Sequence, residues 1–363
     1  MIPLIDLSLD RQLSNKIKKE INRVIDSKSY ILGAHLESFE KEFAKFCGTK
    51  YAAGVASGTD ALRLALRACG IGKGDRVLTV SLTSPFTACA IVEEGAQVVF
   101  CDVDKNTLTI DIADAQKRVD HNTRAIIPVH LFGNPCDMQA ILEFAQKYKL
   151  KIIEDACQAH GASLKNQKVG IFGEAAAFSF YPTKNLGGFG DSGMVTTNDK
   201  KTIVMIKSLR NGGQVRRFWH KYQGINSRLD EIQAAILKIK LKSLTINNQK
   251  RTMIAKRYHK LLSDLPLQFQ KEIDDGISAN HLFVIMTNRR DELKEFLNKN
   301  GVMTDVYYPY PVHEMPAFSQ FANGILKNTE KITREILAIP MFPDLSLKDQ
   351  DFVIKNIRNF FGK

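Results

Sequence analysis

The segment Ala176-Ala-Phe-Ser-Phe-Tyr-Pro-Thr-Lys184-Asn-Leu-Gly-Gly-Phe-Gly-Asp191 joins an apolar strand pattern, a lysine and a glycine-rich turn. The apolar part is typical of a strand buried on both faces, and it ends at Tyr181-Pro182. Lys184 follows directly, at the end of a strand where parallel sheets bind their ligands. Its amine can form a Schiff base with an aldehyde cofactor in such a place. For this segment taken alone, a solvated surface lysine remains the alternative interpretation.

Short apolar runs alternate with amphipathic helical patterns on both sides of that segment. Continuous apolar runs such as Ala125-Ile-Ile-Pro-Val129 favour strands that are covered on both faces. The sequence therefore predicts an α/β fold with a mainly parallel central sheet and helices on both faces. The predicted strands are Tyr51–Ala56, Arg76–Leu82, Gln97–Val103, Arg124–Leu131, Lys151–Asp155, Ala175–Tyr181 and Met194–Thr197, and the predicted helices are Arg11–Asp26, His35–Phe46, Thr59–Ala68, Asp111–Val119 and Met138–Tyr148.

A second, smaller domain is expected after a long helical pattern that begins near Arg228. Residues 1–245 are expected to form the large domain together with its N-terminal helical segment. Residues 246–363 are expected to form a small α+β domain. Its predicted elements are strands at His281–Thr287 and Met303–Tyr308, a helix at Asp291–Asn298 and a last helix.

The composition is that of an ordinary globular protein of 363 residues, with 44% hydrophobic and 25% charged residues. No apolar run is long enough to cross a bilayer, and Met1–Asp6 lacks the features of a secretory signal. We therefore expect a cytoplasmic protein without a membrane partner. The six cysteines include no Cys-x-x-Cys pair, which indicates free thiols and argues against a disulfide framework or a metal site.

The net charge of +12 is compatible with an anionic small substrate. The basic residues are spread along the chain and are mostly interleaved with acidic ones, and no compact basic stripe with aromatic residues is present. A nucleic-acid partner is therefore not expected. A basic background without functional meaning explains the charge equally well.

Two further segments carry side chains suited to a cofactor. In Ile152-Ile-Glu-Asp155-Ala-Cys-Gln158-Ala-His160, a carboxylate at a strand end needs a cationic or donor partner, and a protonated pyridine nitrogen is one. A salt bridge or a helix cap is the alternative for Asp155, and His160 is interpreted as a satisfied core histidine. In Ser57-Gly58-Thr59-Asp60, a strand-to-helix junction offers backbone N–H groups and hydroxyls to a phosphate, although a plain helix cap explains it equally well.

A nicotinamide cofactor is not expected from Gly188-Phe-Gly190-Asp-Ser-Gly193, which has the spacing Gly-x-Gly-x-x-Gly. That motif requires a helix opening at the glycines, whereas Met194–Asn198 has a strand pattern. The order of phosphate cradle, carboxylate, glutamine and lysine on one parallel sheet instead describes a pyridoxal-phosphate site.

With these residues in view, the sequence resembles the DegT/DnrJ/StrS family of nucleotide-sugar aminotransferases, within the aspartate aminotransferase superfamily of pyridoxal-phosphate fold type I. The resemblance covers nearly the whole chain. It is carried by the segments Tyr30–Gly33, Ala56–Leu62, Pro128–Gly133, Glu154–Gly161, Ser179–Gly187, Asn226–Ala235 and Tyr308–His313.

The resemblance implies a role for each residue of the predicted site. Lys184 would hold pyridoxal 5'-phosphate as a Schiff base and later move a proton, Asp155 would pair with the pyridine nitrogen, and Gln158 would lie near the phenolic oxygen. The other implied contacts are the phosphate ligands Gly58, Thr59 and Ser179, the phosphate ligand Asn226 from a neighbouring subunit, and Tyr308 and His313 near the sugar nucleotide. A homodimer with shared active sites follows from Asn226. Many members place an aromatic residue over the cofactor ring where this chain has Ser84, and whether Phe86 replaces it stays open.

The resemblance also implies the reaction. L-Glutamate would leave its amine on the cofactor as pyridoxamine 5'-phosphate, and a dTDP- or UDP-linked 3-keto-6-deoxyhexose would then receive it, in the biosynthesis of surface glycans. A 4-keto sugar is the runner-up acceptor. A sugar dehydratase of the family would carry histidine in place of Lys184, and a non-catalytic regulatory homologue would have lost some cofactor ligands, so neither is favoured.

Overall fold

The computed structural model describes residues 1–363, which form fifteen strands and eleven α-helices. The strands are β1 (Tyr51–Val55), β2 (Arg76–Val80), β3 (Gln97–Cys101), β4 (Thr123–Ile127), β5 (Lys151–Asp155), β6 (Ser163–Leu164), β7 (Gln167–Lys168), β8 (Ala175–Ser179), β9 (Gly193–Thr197), β10 (Gln214–Arg216), β11 (Trp219–His220), β12 (Gln268–Phe269), β13 (Gly276–Ile277), β14 (Phe283–Met286) and β15 (Ile336–Ile339). The helices are α1 (Arg11–Ser27), α2 (Ala34–Cys47), α3 (Gly58–Ala68), α4 (Pro85–Glu93), α5 (Ile112–Arg118), α6 (Met138–Tyr148), α7 (Lys200–Leu209), α8 (Glu231–Leu262), α9 (Arg290–Lys299), α10 (Lys327–Glu335) and α11 (Leu347–Phe360). None of these helices combines the length and the apolar composition that spanning a bilayer requires.

The central sheet has seven strands in the order β1-β9-β8-β5-β4-β2-β3. The five strands from β8 to β3 run parallel, whereas β9 runs antiparallel to both of its neighbours. Alternate side chains enter different cores, so that Ile153 and Ala177 pack with α3 while Ile152 packs on the opposite face. The predicted α/β class with a mainly parallel sheet and helices on both faces is confirmed.

The sheet places the predicted site residues at one edge. Because β5 and β8 are parallel neighbours with Asp155 paired to Ala177, Asp155 and Ser179 lie near the carboxyl ends of adjacent strands. The strand β1 ends at Val55, and α3 begins three residues later at Gly58 on the same side of the sheet. The chain therefore brings its three predicted cofactor segments together, as expected of parallel strands.

The C-terminal part forms a small antiparallel sheet, β12-β14-β15, that packs against α9, α11 and the second half of α8. The strand predicted at Met303–Tyr308 is wrong. Within it only Asp305 makes a bridge, to Ala338 of β15, so the segment lies beside β15 without forming a strand. The helix α8 runs without a break past residue 245, and the division of the chain at that residue stays a prediction.

Candidate active site

Lys184 lies in the turn that follows β8, with its backbone N–H donating to the Tyr181 carbonyl at 2.9 Å. Its amine is enclosed by the protein. Burial lowers the pKa of the amine below its ordinary value, while Cys157 and Asp155 act in the opposite direction. A larger share of this amine is therefore neutral near pH 7 than on an exposed lysine, and the neutral amine is the nucleophile.

Asp155 is held at the end of β5 by two donors and is 6% exposed. Thr87 Oγ1 on α4 donates to its Oδ2 at 2.8 Å, and the Cys157 N–H donates to its Oδ1 at 3.2 Å. The carboxylate is thus oriented, and each oxygen retains a lone pair for a further donor. Thr87 is a residue of the site that the sequence analysis missed.

The junction between β1 and α3 leaves free backbone donors beside Ser179. The Ser57 side chain caps α3 by accepting from the Asp60 N–H at 3.1 Å, and the Ser57 carbonyl accepts from Ala61 at 3.0 Å. The N–H groups of Gly58 and Thr59, the first two of the helix, have no partner in the chain. Two free amides at the start of an eleven-residue helix are suited to a phosphate.

Gly58 has no room for a side chain. A Cβ at this position would lie 2.8 Å from Cys157 Sγ and 2.8 Å from Ser179 Cβ, whereas real Cβ atoms keep more than 3.0 Å from their neighbours. The close approach brings the predicted phosphate ligands Gly58 and Ser179 together. Cys157 lines the same pocket, and burial, followed by the charge of Asp155, raises the pKa of its thiol well above the ordinary value, which keeps the thiol protonated.

Gln158 and Tyr308 lie against each other at the edge of this pocket. Gln158 Nε2 donates to the Tyr308 hydroxyl at 3.0 Å, and Gln158 Oε1 accepts from the Phe132 N–H at 2.8 Å. The hydroxyl also interacts with Ser84 and with the charge of Asp155, and burial raises its pKa above the ordinary value. The structure thus places Tyr308 beside the cofactor residues. Phe86 is 60% exposed, so in the single chain it does not pack in the pocket.

The glycine-rich turn after Lys184 is fixed to α8. Gln233 Oε1 accepts from the Phe189 N–H at 2.8 Å, and Lys240 donates to the Gly187 carbonyl. Burial lowers the pKa of Lys240 to about 8. The long helix therefore sets the position of the turn that carries the lysine.

His160 is a buried histidine near Lys184, but it is not satisfied as expected. Both ring nitrogens lack a hydrogen-bond partner, and the ring packs 5.6 Å from the centroids of Phe178 and Phe180. Burial and then the charge of Lys184 lower the pKa of His160 to about 3, so the ring is neutral at ordinary pH. It adds no second positive charge beside the lysine.

Two predicted site residues lie elsewhere. Asn226 is exposed in the loop before α8 and bridges Asn211, so a role in the single chain's pocket is not seen, and its role across a subunit boundary stays a prediction. His313 is 5% exposed, with Nδ1 bonded to Ser81 Oγ at 2.7 Å and Nε2 at 3.7 Å from Glu330. Both of its nitrogens face protein groups, and its contact with a sugar nucleotide stays a prediction.

The chemistry of these groups fits pyridoxal phosphate. Lys184 offers a buried amine to an aldehyde, Asp155 offers a buried and oriented carboxylate to a pyridine N–H, and Gly58, which Ser179 approaches closely, offers a free amide to a phosphate. The three features are suited to three different parts of one molecule. A surface lysine or a simple helix cap would account for only one of them.

Comparisons with known proteins agree with this interpretation. A model of the DegT/DnrJ/EryC1/StrS aminotransferase family matches residues 11–358. The chain is 39% identical to a pleiotropic regulatory protein of Geobacillus stearothermophilus, over 99% of this chain and 98% of that protein. It is 41% identical to a dTDP-3-amino-3,4,6-trideoxy-alpha-D-glucose transaminase of Streptomyces venezuelae, over 99% of this chain and 96% of that protein.

Among solved structures, that of DesV from S. venezuelae superposes on this chain with a TM-score of 0.97, at 41% identity, and covers 100% of this chain and 99% of that one. The protein belongs to the DegT/DnrJ/EryC1/StrS aminotransferase family and is a pyridoxal-phosphate-dependent aminotransferase.

Proposed function

We propose that the protein transfers an amino group from L-glutamate to carbon 3 of a dTDP- or UDP-linked 3-keto-6-deoxyhexose. The buried amine of Lys184 beside the oriented carboxylate of Asp155 carries the proposal. The name of the Streptomyces venezuelae relative supports a dTDP-linked sugar and amination at carbon 3. The remaining candidate, a 4-keto sugar, uses the same cofactor site.

The protein groups divide the work of the reaction among them. When bound, pyridoxal phosphate supplies an aldehyde that carries the amino group and a ring that spreads negative charge. Lys184 Nζ, with its lowered pKa, takes up a proton and returns it. Asp155 holds the ring nitrogen in its protonated form, and Thr87 keeps the carboxylate in place. The amides of Gly58 and Thr59 anchor the phosphate.

The active unit in this proposal is a homodimer. Asn226 is exposed, and the nearby β10–β11 hairpin exposes Phe218 (78%) and Trp219 (57%). Adjacent exposed aromatic residues occur more often on surfaces that bind a partner than on surfaces that stay in solvent. If a partner subunit covers the hairpin, Asn226 of this chain would lie near the cofactor phosphate that the partner subunit binds. The six cysteines are all free, which suits a reducing compartment such as the cytoplasm.

A regulatory role is the alternative from another class, and the name of the Geobacillus relative supports considering it. A protein that only binds and signals has no need of a free catalytic amine. Here Lys184 and the groups around it are all present, which favours catalysis.

The test is to assay dTDP- and UDP-linked 3-keto and 4-keto hexoses with glutamate and to weigh the products by mass spectrometry. The expected product is a 3-amino sugar, with 2-oxoglutarate formed in equal amount. The Lys184→Ala protein should form none. Amination at carbon 4 alone would overturn the choice of sugar, and no amination of any sugar in the panel would favour the regulatory alternative.

A further inference from the structure

A cavity of about 840 Å³ lies between the loop after β3, the C-terminal part of α8, the segment around β12, and α10. No residue of the predicted cofactor site lines it. Its volume falls in the range of small-molecule sites, about 300–1,000 Å³. The pocket of a cofactor enzyme does not require such a cavity, so it calls for its own explanation.

Four lysines from separate segments converge on this cavity, against two carboxylates. Lys105, Lys256 and Lys271 are exposed and have no carboxylate within 4.0 Å, and Lys331 is paired only with Glu335, at 4.0 Å. The other carboxylate, Glu272, makes no ion pair. Unpaired lysines that surround a concave surface are point charges suited to a phosphate group.

A buried side chain beside the cavity has an unpaired acceptor. Asn134 is 1% exposed, and its Nδ2 donates to the Lys271 carbonyl at 2.9 Å and to the Thr107 carbonyl at 3.2 Å, but its Oδ1 has no partner. A recess of about 30 Å³, which shares Gln270 and Asn280 with the cavity, leads to this residue. It has room for one hydroxyl group or one water. A ligand with an anionic end and a hydroxyl end matches both features.

The cavity wall is connected to the turn that carries the catalytic lysine. Asn280 lines the cavity, and its two neighbours in the chain hold Asn185, the residue after Lys184. Asn185 Nδ2 donates to the Ala279 carbonyl at 2.7 Å, and Asn185 Oδ1 lies 3.2 Å from His281 Nδ1. A ligand that shifts residues 279–281 would therefore act on the position of Lys184.

We propose that this cavity is a second binding site for a phosphate-bearing sugar, and that its occupation is coupled to the Lys184 turn through residues 279–281. The lysines bind the phosphate and Asn134 receives a hydroxyl. The site is separate from the one that binds the amino acceptor, so its existence does not depend on which sugar is aminated.

Binding to the cofactor-loaded protein tests the proposal, by calorimetric titration at low salt with two probes, UDP-glucose and inorganic pyrophosphate. The cavity variant carries Lys105→Gln, Lys256→Gln and Lys271→Gln, and the control carries Lys200→Gln, Lys348→Gln and Lys355→Gln, which remove the same charge at exposed positions outside the cavity. We expect a binding event that is weakened about 10-fold or more in the cavity variant and unchanged in the control. Binding of either probe at the catalytic site should be the same in the cavity variant and in the control.

The two probes separate the sources of the phosphate. Pyrophosphate binding that weakens in the cavity variant shows that the phosphate alone is recognised. If only UDP-glucose binding weakens there, the rest of the sugar nucleotide contributes. Either result supports the site. Equal titrations of the cavity variant and the control with both probes would overturn it. Hydrogen exchange of residues 182–190 should slow on binding in the native protein, and exchange that stays unchanged at saturation would overturn the coupling.

Discussion

Replacing Gly58 by alanine tests the close approach that forms the phosphate cradle. The added Cβ would lie 2.8 Å from Cys157 Sγ and from Ser179 Cβ, and 3.3 Å from Ser179 Cα. Because part of this contact is with the backbone of β8, rotation of one side chain cannot relieve it. Overpacking of this kind costs about 1–3 kcal/mol.

We expect the free energy of unfolding of the cofactor-free Gly58→Ala protein to be about 1–3 kcal/mol lower than that of the native protein. The start of α3 must also move away from Ser179, which displaces the free amides of Gly58 and Thr59. The dissociation constant for pyridoxal phosphate should then rise, by about 5- to 150-fold if the loss of binding energy is of the same size.

Urea denaturation and titration of the cofactor by absorbance measure the two effects. Gly72→Ala is the matched control, because a Cβ there would meet only the Glu94 carbonyl oxygen, at 3.5 Å, an ordinary contact. Native stability and native cofactor affinity in Gly58→Ala would refute the reasoning. A loss of stability with native affinity would show that the junction packs tightly but does not bind phosphate.

Three further predictions concern the groups around the pocket. Thr87→Val keeps the side-chain shape but removes the 2.8 Å hydrogen bond to Asp155, and we expect the rate of amino transfer to fall by about 10-fold with little change in cofactor affinity. The control Thr83→Val, just before α4, should be nearly neutral. A native rate in Thr87→Val would contradict the positioning role. Tyr308→Phe removes the partner of Gln158 Nε2 and should weaken cofactor binding by about 3- to 10-fold, measured by absorbance titration. The double variant with Gln158→Leu should lose less cofactor-binding free energy than the sum of the two single losses. Strict additivity would count against the contact between the two side chains. Lys240 has a pKa of about 8 in the folded protein against 10.5 in the unfolded chain, so between these pH values the unfolded state binds more protons and the free energy of unfolding rises with pH. Lys240→Met should flatten this rise between pH 8 and 10. An unchanged slope would contradict the lowered pKa.

The sequence predicted those features that depend on neighbours along the chain. The apolar runs of β4, β5 and β8 and the amphipathic pattern of α8 carry local signals, and their predicted positions agree with the structure to within a few residues at their ends. Lys184 and Asp155 were identified because each lies at the carboxyl end of a predicted buried strand, where parallel sheets bind their ligands.

What the sequence did not predict depends on contacts between distant segments. Thr87 reaches Asp155 from α4, and Tyr308 reaches Gln158 across 150 positions, and neither pair has a local pattern. The segment Met303–Tyr308 was predicted as a strand, but it forms only the single bridge from Asp305 to Ala338 of β15. His160 was expected to be satisfied because buried histidines generally are, and its unpaired nitrogens appear only when the packing of Phe178 and Phe180 around it is known.

The proposed reaction depends on the amine of Lys184 as the group that holds the cofactor. Borohydride reduction of the pyridoxal-phosphate-loaded protein, followed by mass spectrometry of its peptides, measures this directly. We predict that the cofactor is attached to the peptide that contains Lys184, at one equivalent per chain, and that Lys184→Ala retains none. Attachment to a different lysine, or full labelling of the Lys184→Ala protein, would contradict the account.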